Sequence, residues 1–174
     1  MKKTLNTSMP GVVIFFVVIC LVAVTIYALP LTLATPIHET TKYQDSEWLT
    51  ACVSGMTQVD NDMKSLTTAA KNYDFTSAST YAAILYTASH KAIADSDLYN
   101  ISPDLQGAKD EYQLAMDQAS RVAVYANSGI EEYNNGNFEA INTDLKQAIE
   151  YVKSYNEHTK KAVKLSTNYK SKKN

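Results

Sequence analysis

Turn and breaker residues are scarce, with five Gly and four Pro in 174 residues. Sandwiches, barrels and disordered chains need many more, so those classes are set aside. Two Cys are too few for a disulfide scaffold. A single Arg stands against fifteen Lys. Arg carries most bidentate contacts to base edges, so nucleic acid is not an expected partner. A Gly-rich phosphate loop, a Gly-x-Ser-x-Gly turn, a paired-carboxylate motif and a Cys-x-x-Cys-His attachment are all missing. No catalytic residue, cofactor or metal ligand is assigned, and an enzyme is not expected. Charge is missing too, since Thr4 to His38 contains no Lys, Arg, Asp or Glu.

That uncharged stretch holds the run Gly11–Leu29, GVVIFFVVICLVAVTIYAL. At about 1.5 Å per helical residue it matches the roughly 30 Å hydrocarbon core of a bilayer. Lys2 and Lys3 precede it, while Glu39 and Lys42 cancel after it. The positive-inside rule places the N-terminus in the cytoplasm and the remainder outside, in a single pass through the cell membrane. Pro30 and Pro36 would end the helix on the outer side. The run is longer than the usual apolar region of a cleaved signal, so an uncleaved anchor is expected. The alternative is secretion after cleavage near Thr32-x-Ala34. Cys20 lies mid-run after Ile19, an unsuitable place for lipid attachment, and reads as apolar filler.

From Ser46 onward apolar residues recur at alternating steps of three and four. The first seam is Leu49, Cys52, Met56, Val59, Met63, Leu66, Ala70 and Tyr73, with Ser46 as its cap. The second is Phe75, Ala78, Ala82, Leu85, Ser89 and Ala92, capped by Asp74. The third follows Ser102 as cap, Pro103 in the first turn and Asp104 at the positive end of the dipole. It carries Leu105, Ala108, Tyr112, Ala115, Ala119, Val122 and Ala126. The fourth begins near Asn137 and carries Phe138, Ile141, Leu145, Ala148, Val152, Tyr155, Thr159 and Ala162. Asn72–Asp74, Asp97–Ser102 and a longer Asn127–Asn137 stretch read as connectors.

The predicted fold is all-α: an N-terminal transmembrane helix carrying an antiparallel up-down-up-down four-helix bundle. A three-helix bundle with one bent long helix is the alternative. The expected divisions are a cytoplasmic N-terminus over 1–9, the anchor over 10–29, a linker over 30–45, the bundle over 46–167 and a Lys-rich tail over 168–174. A shift of 63 residues lays Phe75 on Phe138 and Val59 on Val122, so one helical hairpin is a candidate duplicate of the other.

None of His38, His90 and His158 stands at ligand spacing from a second ligating residue, and the Glu-x-x-His pairs of di-iron bundles are missing. Asp95-Ser96-Asp97 opens like a calcium loop, but Asn100 replaces its Gly and Gln106 its bidentate Glu. Asp60-Asn61-Asp62 falls on a heptad helix, where the carboxylates are expected to point outward. Cys52 is read as a buried apolar filler, with an intermolecular disulfide as the functional alternative. Asn100-Ile101-Ser102 is a glycosylation sequon, and Pro103 directly after it disfavours use. Tyr99, Tyr133 and Tyr169 are placed in connectors or the tail.

Gly136-Asn137-Phe138, then Ala140-Ile141 and Ala148-Ile149, resembles part of a tetratricopeptide repeat. In that family a small residue opens a helix, and an aromatic and an Ala pack on the neighbouring helix. The likeness covers less than one repeat, and the resemblance implies shared helix-hairpin packing rather than a solenoid. As a whole the chain looks like the small signal-anchored, extracytoplasmic helical proteins of prokaryotes.

Charge is segregated. Residues 41–159 hold 8 basic and 17 acidic residues, a net of −9, whereas 160–174 hold six Lys and no acid. Lys160, Lys161, Lys164, Lys170, Lys172 and Lys173 are therefore candidates for contact with an anionic surface, against the plainer reading of a solvated, frayed tail. The expected role is a membrane-anchored extracytoplasmic module for protein–protein interaction or envelope structure. Its partners would be the bilayer through 10–29, a protein not identified by sequence, and a candidate second copy of itself. A ligand-sensing bundle like those of chemoreceptors is the alternative, and it would need a separate membrane partner to carry the signal.

Overall fold

A computed structural model describes residues 43–173. The anchor run, its flanking lysines, Cys20, His38 and the candidate cleavage site lie outside the described residues. Among the described residues there are four α-helices and no strand: α1 (Asp45–Lys71), α2 (Phe75–Ser96), α3 (Pro103–Asn134) and α4 (Phe138–Lys173). None of them is long and apolar enough to cross a membrane. The structure is all-α and has the helices of a bundle. A three-helix arrangement with one bent helix is ruled out.

Successive helices pack side by side, and the α3–α4 pair is the most extensive. The starts of α1 and α3 share one end with the finish of α4: the Asp45 carboxylate accepts the Ser102 backbone N–H at 2.7 Å and also the Tyr169 hydroxyl. At the other end Phe75, opening α2, lies against Tyr133 in the last turn of α3, with ring centroids 4.4 Å apart. Directions therefore alternate up and down.

The two tight turns are built alike. At Asn72–Asp74 the Tyr73 N–H bonds the Ala70 carbonyl at 3.1 Å and the Asp74 N–H bonds that of Ala69 at 3.0 Å. At Asn135–Asn137 the Gly136 and Asn137 N–H groups bond the carbonyls of Tyr133 and Glu132 at 3.1 and 2.9 Å. Both are Schellman caps, which need a left-handed residue. Tyr73 (φ 57°) fills that place in the first and Gly136 (φ 75°) in the second. The next residue then caps the following helix: Asp74 accepts Ser77 N–H at 3.0 Å and Asn137 accepts Ala140 N–H at 3.4 Å. Each of these features recurs at the 63-residue offset, which supports duplication of the hairpin.

The seam residues form one continuous core, from Cys52 and Val59 on α1 through Leu85, Ala115 and Leu145 to Tyr155 and Ala162. Small residues dominate where α2 meets its neighbours, among them Ala78, Ala82, Ser89 and Ala92, all buried. The first and last helices instead meet through large side chains, and their backbones stay farther apart than those of sequential pairs. Trp48 and Tyr112 meet edge to face across the α1–α3 diagonal at 6.4 Å and 77°.

Several local expectations are corrected. Ser46 does not cap α1: the helix starts at Asp45, and the Ser46 hydroxyl bonds Glu47 instead. Ser102 has the extended backbone of a cap, but its hydroxyl makes no capping bond. Tyr73 leaves the seam because its left-handed backbone turns it outward, 51% exposed. The Asn127–Asn137 connector shrinks to the three-residue turn at its end. Gly129 is buried within α3, facing Leu145 and Asp144 of α4. Tyr133 lies in α3, and Tyr169 is buried in α4, which continues as helix through Lys173. Phe138 is 45% exposed and so does not pack as the tetratricopeptide likeness implies.

Candidate functional site

Three features above the level of packing stand out. The first is a cavity of about 500 Å³ between the first half of α1 and the last turns of α2, bordered by Cys52, Gly55, Gln58, Lys91, Asp95 and Tyr112. Gly55 on its border makes room for the Tyr112 ring. A Cβ there would collide with the Tyr112 hydroxyl and press on Ala92. The polar groups around it are already committed. Lys91 pairs with Asp95 at 2.5 Å, and burial pushes the Tyr112 phenol up, helped by Cys52 and Asp95. Burial likewise pushes the Cys52 thiol far up, and Lys109 offsets only part of the effect. A protonated thiol inside a bundle is a packing group rather than a nucleophile. A disulfide to another chain through Cys52 would require the helices to part.

The second feature is a polar link between half-buried Asp60 of α1 and buried Tyr155 of α4. Tyr155 donates to Asp60 at 2.7 Å. Desolvation raises the Asp60 pKa and the Tyr155 hydrogen bond lowers it in part. Burial, reinforced by Asp60, holds Tyr155 well above its ordinary range. Asp62 is buried, and its two oxygens accept from Gln58 at 3.0 Å each. The expectation of outward, hydrated carboxylates at 60 and 62 is thus corrected.

The third feature is the outward face of α2. From Phe75 to His90 it contains no charged residue. Thr76, Thr80, Ala83, Ile84 and Thr87 border an open groove of about 1000 Å³ that continues onto Gln58 and Asp62 of α1 and Ile130 of α3. Ile84 is 42% exposed and Tyr86 45%, the latter with its ring 4.4 Å from that of His90.

The remaining sequence candidates are scattered. Among the described residues no group of three or more His, Cys, Asp or Glu is placed to hold a metal. His158 meets Glu111 at 2.5 Å, and Lys161 reaches the same carboxylate at 4.0 Å. Asp97 pairs with Lys109 at 2.9 Å and accepts from Gln113, and these contacts hold its carboxyl below the usual range. Asn100 is exposed in the connector, its N–H donating to the Gln44 side chain at 3.2 Å. Lys160, Lys161, Lys164 and Lys172 are exposed on α4, and Lys170 is half-buried.

Gly55, Asp45 and Trp48 were not singled out by sequence. A lone Gly inside a helical pattern is itself a signal of close approach. Trp48 stands four residues before Cys52, at core spacing. No comparable signal marks Asp45, because its partners are 57 and 124 residues away. Comparison of the chain with known protein families, with curated proteins and with solved structures finds no match.

Proposed function

We propose that this chain is a membrane-anchored extracytoplasmic helical module whose work is contact, either with a protein partner, a second copy included, or as part of the cell envelope. The observation that carries the reading is the outward face of α2. A surface helix ordinarily sets charged residues opposite its buried stripe. Here sixteen consecutive positions, Phe75 to His90, hold none. Depletion of charge with exposed aromatic and aliphatic groups is the composition of an interface core. The anchor is supported by the length and flanking charges of residues 10–29, and the reading requires no catalysis. The test is photo-crosslinking in intact membranes from position 84 or 87, with position 150 on α4 as control. A discrete adduct from α2 positions, missing from position 150, is expected. Absence of any adduct at both α2 positions refutes the contact role of this face.

A ligand-sensing bundle working through a separate membrane partner is the second reading, favoured by the cavity beside Gly55 and Tyr112. It predicts that small-molecule binding raises the melting temperature, and that Ala51→Leu, which adds bulk at the cavity border, abolishes the rise.

A further inference from the structure

We propose that the last turns of α4 form a basic foot that docks on the anionic lipid headgroups of the membrane holding the chain. The proposal rests on the anchored reading above and adds to it the surface that meets the bilayer. Three observations combine. First, the Tyr169–Asp45 and Ser102–Asp45 bonds fix the end of α4 beside the start of α1. The start of α1 is where the chain leads back to the apolar run. The residues between Leu29 and Tyr43 span at most about 50 Å when fully extended. Lys170 and Lys172 are therefore carried at the tethered end of the bundle, and Lys164, Lys161 and Lys160 continue from there towards its middle, where Tyr155 meets Asp60.

Second, Lys160, Lys161, Lys164 and Lys172 are all exposed. At 100° per helical residue they fall within about 120° of one another, on the side opposite buried Ala162 and Tyr169. Exposed Leu165 stands among them, the mixture of basic and apolar groups that suits an interfacial helix. No acid interrupts the segment from 160 onward. Third, the rest of the exterior region carries the opposite sign, so an anionic surface repels the body and attracts this end. Helix-dipole stabilisation does not account for the pattern. That effect fades within the last turn, whereas Lys160 and Lys161 lie more than three turns before Lys173. Attraction of a lysine to an anionic leaflet corresponds to about fivefold in binding and acts only within a Debye length. Lys160 and Lys172 stand about 18 Å apart along the axis, so the whole stripe engages the leaflet when α4 inclines towards the surface.

The test uses the full chain reconstituted in vesicles of phosphatidylcholine alone or enriched in phosphatidylglycerol. Trp48, the only Trp in the chain and close to the tethered end, serves as donor to a headgroup-linked fluorescent acceptor. Energy transfer should rise in the anionic vesicles and fall with added salt. The variant K160Q/K161Q/K164Q/K172Q should drop to the phosphatidylcholine level with unchanged helical circular dichroism. Equal transfer in both vesicle types overturns the foot, as does a variant that keeps the full gain. So does a chain that ignores the lipid but binds poly-glutamate, which would assign the lysines to an acidic partner. Flotation after an alkaline wash tests the anchor separately. A chain that stays with the vesicles yet shows no lipid-dependent transfer loses only the foot, and a chain that washes off loses the anchored reading.

Discussion

Gly55 and Tyr112 are complementary: the ring occupies space that any side chain at 55 would claim. Gly55→Ala should destabilise the bundle by about 1–3 kcal/mol, the usual penalty of overpacking. Removing the hydroxyl with Tyr112→Phe in the same chain should recover most of that loss, a coupling measurable by urea unfolding of all four species. Asp60 gives a pH-dependent expectation. Folding raises its pKa, so the native state holds the proton more tightly than the unfolded state. Its stabilising contribution is complete below the ordinary Asp value of about 3.9 and is lost as pH rises through the raised value. Asp60→Asn keeps an acceptor for Tyr155 without the partly desolvated charge. It should melt above the parent at neutral pH, and the difference should close towards pH 4. A variant that is destabilised at neutral pH would show that the charged Asp60–Tyr155 bond outweighs desolvation.

The hairpin turns set out a natural comparison at the level of the element. Both close with a left-handed residue, but one uses Tyr73 and the other Gly136. A left-handed conformation costs a residue with a Cβ about 1 kcal/mol or more, and Gly almost nothing. Tyr73→Gly should therefore stabilise the α1–α2 hairpin by about 0.5–1 kcal/mol, the gain being trimmed by loss of the edge contact with Phe75. Gly136→Ala should cost the α3–α4 hairpin about 1 kcal/mol or more. Melting temperatures of the two variants should move in opposite directions. The helices themselves were legible from the three-four spacing, because a seam of buried Ala, Leu and Val must recur at that period to stay on one face. Their ends were less so. Gly129 reads as a breaker in sequence, yet it is an interior helix residue packed against Leu145 of the next helix.

For the molecule as a whole, the four helices should fold without residues 1–39 if the core cluster supplies their stability. The polypeptide 40–174 should be soluble, strongly helical by circular dichroism and cooperative in thermal unfolding. A spectrum dominated by strand or coil would contradict the bundle. In intact cells, added protease should degrade the C-terminal region and spare only about the first thirty residues, as the positive-inside rule requires. Protection of the C-terminal region would reverse the orientation.

What the sequence determined by itself is whatever depends on local period and composition: four amphipathic helices, an apolar run of bilayer length and a segregated cluster of lysines. Tertiary structure alone decided which ends coincide and which polar groups are enclosed. The two buried partners of Asp45 lie 57 and 124 residues away, and Asp60 meets Tyr155 across 95 residues. No periodicity encodes such distances, because a carboxylate at a helix flank has the same local pattern whether water or a distant phenol faces it. The position of the last turn of α4 beside the start of α1 follows from the same physics: a segment's neighbours in space are set by how the helices pack.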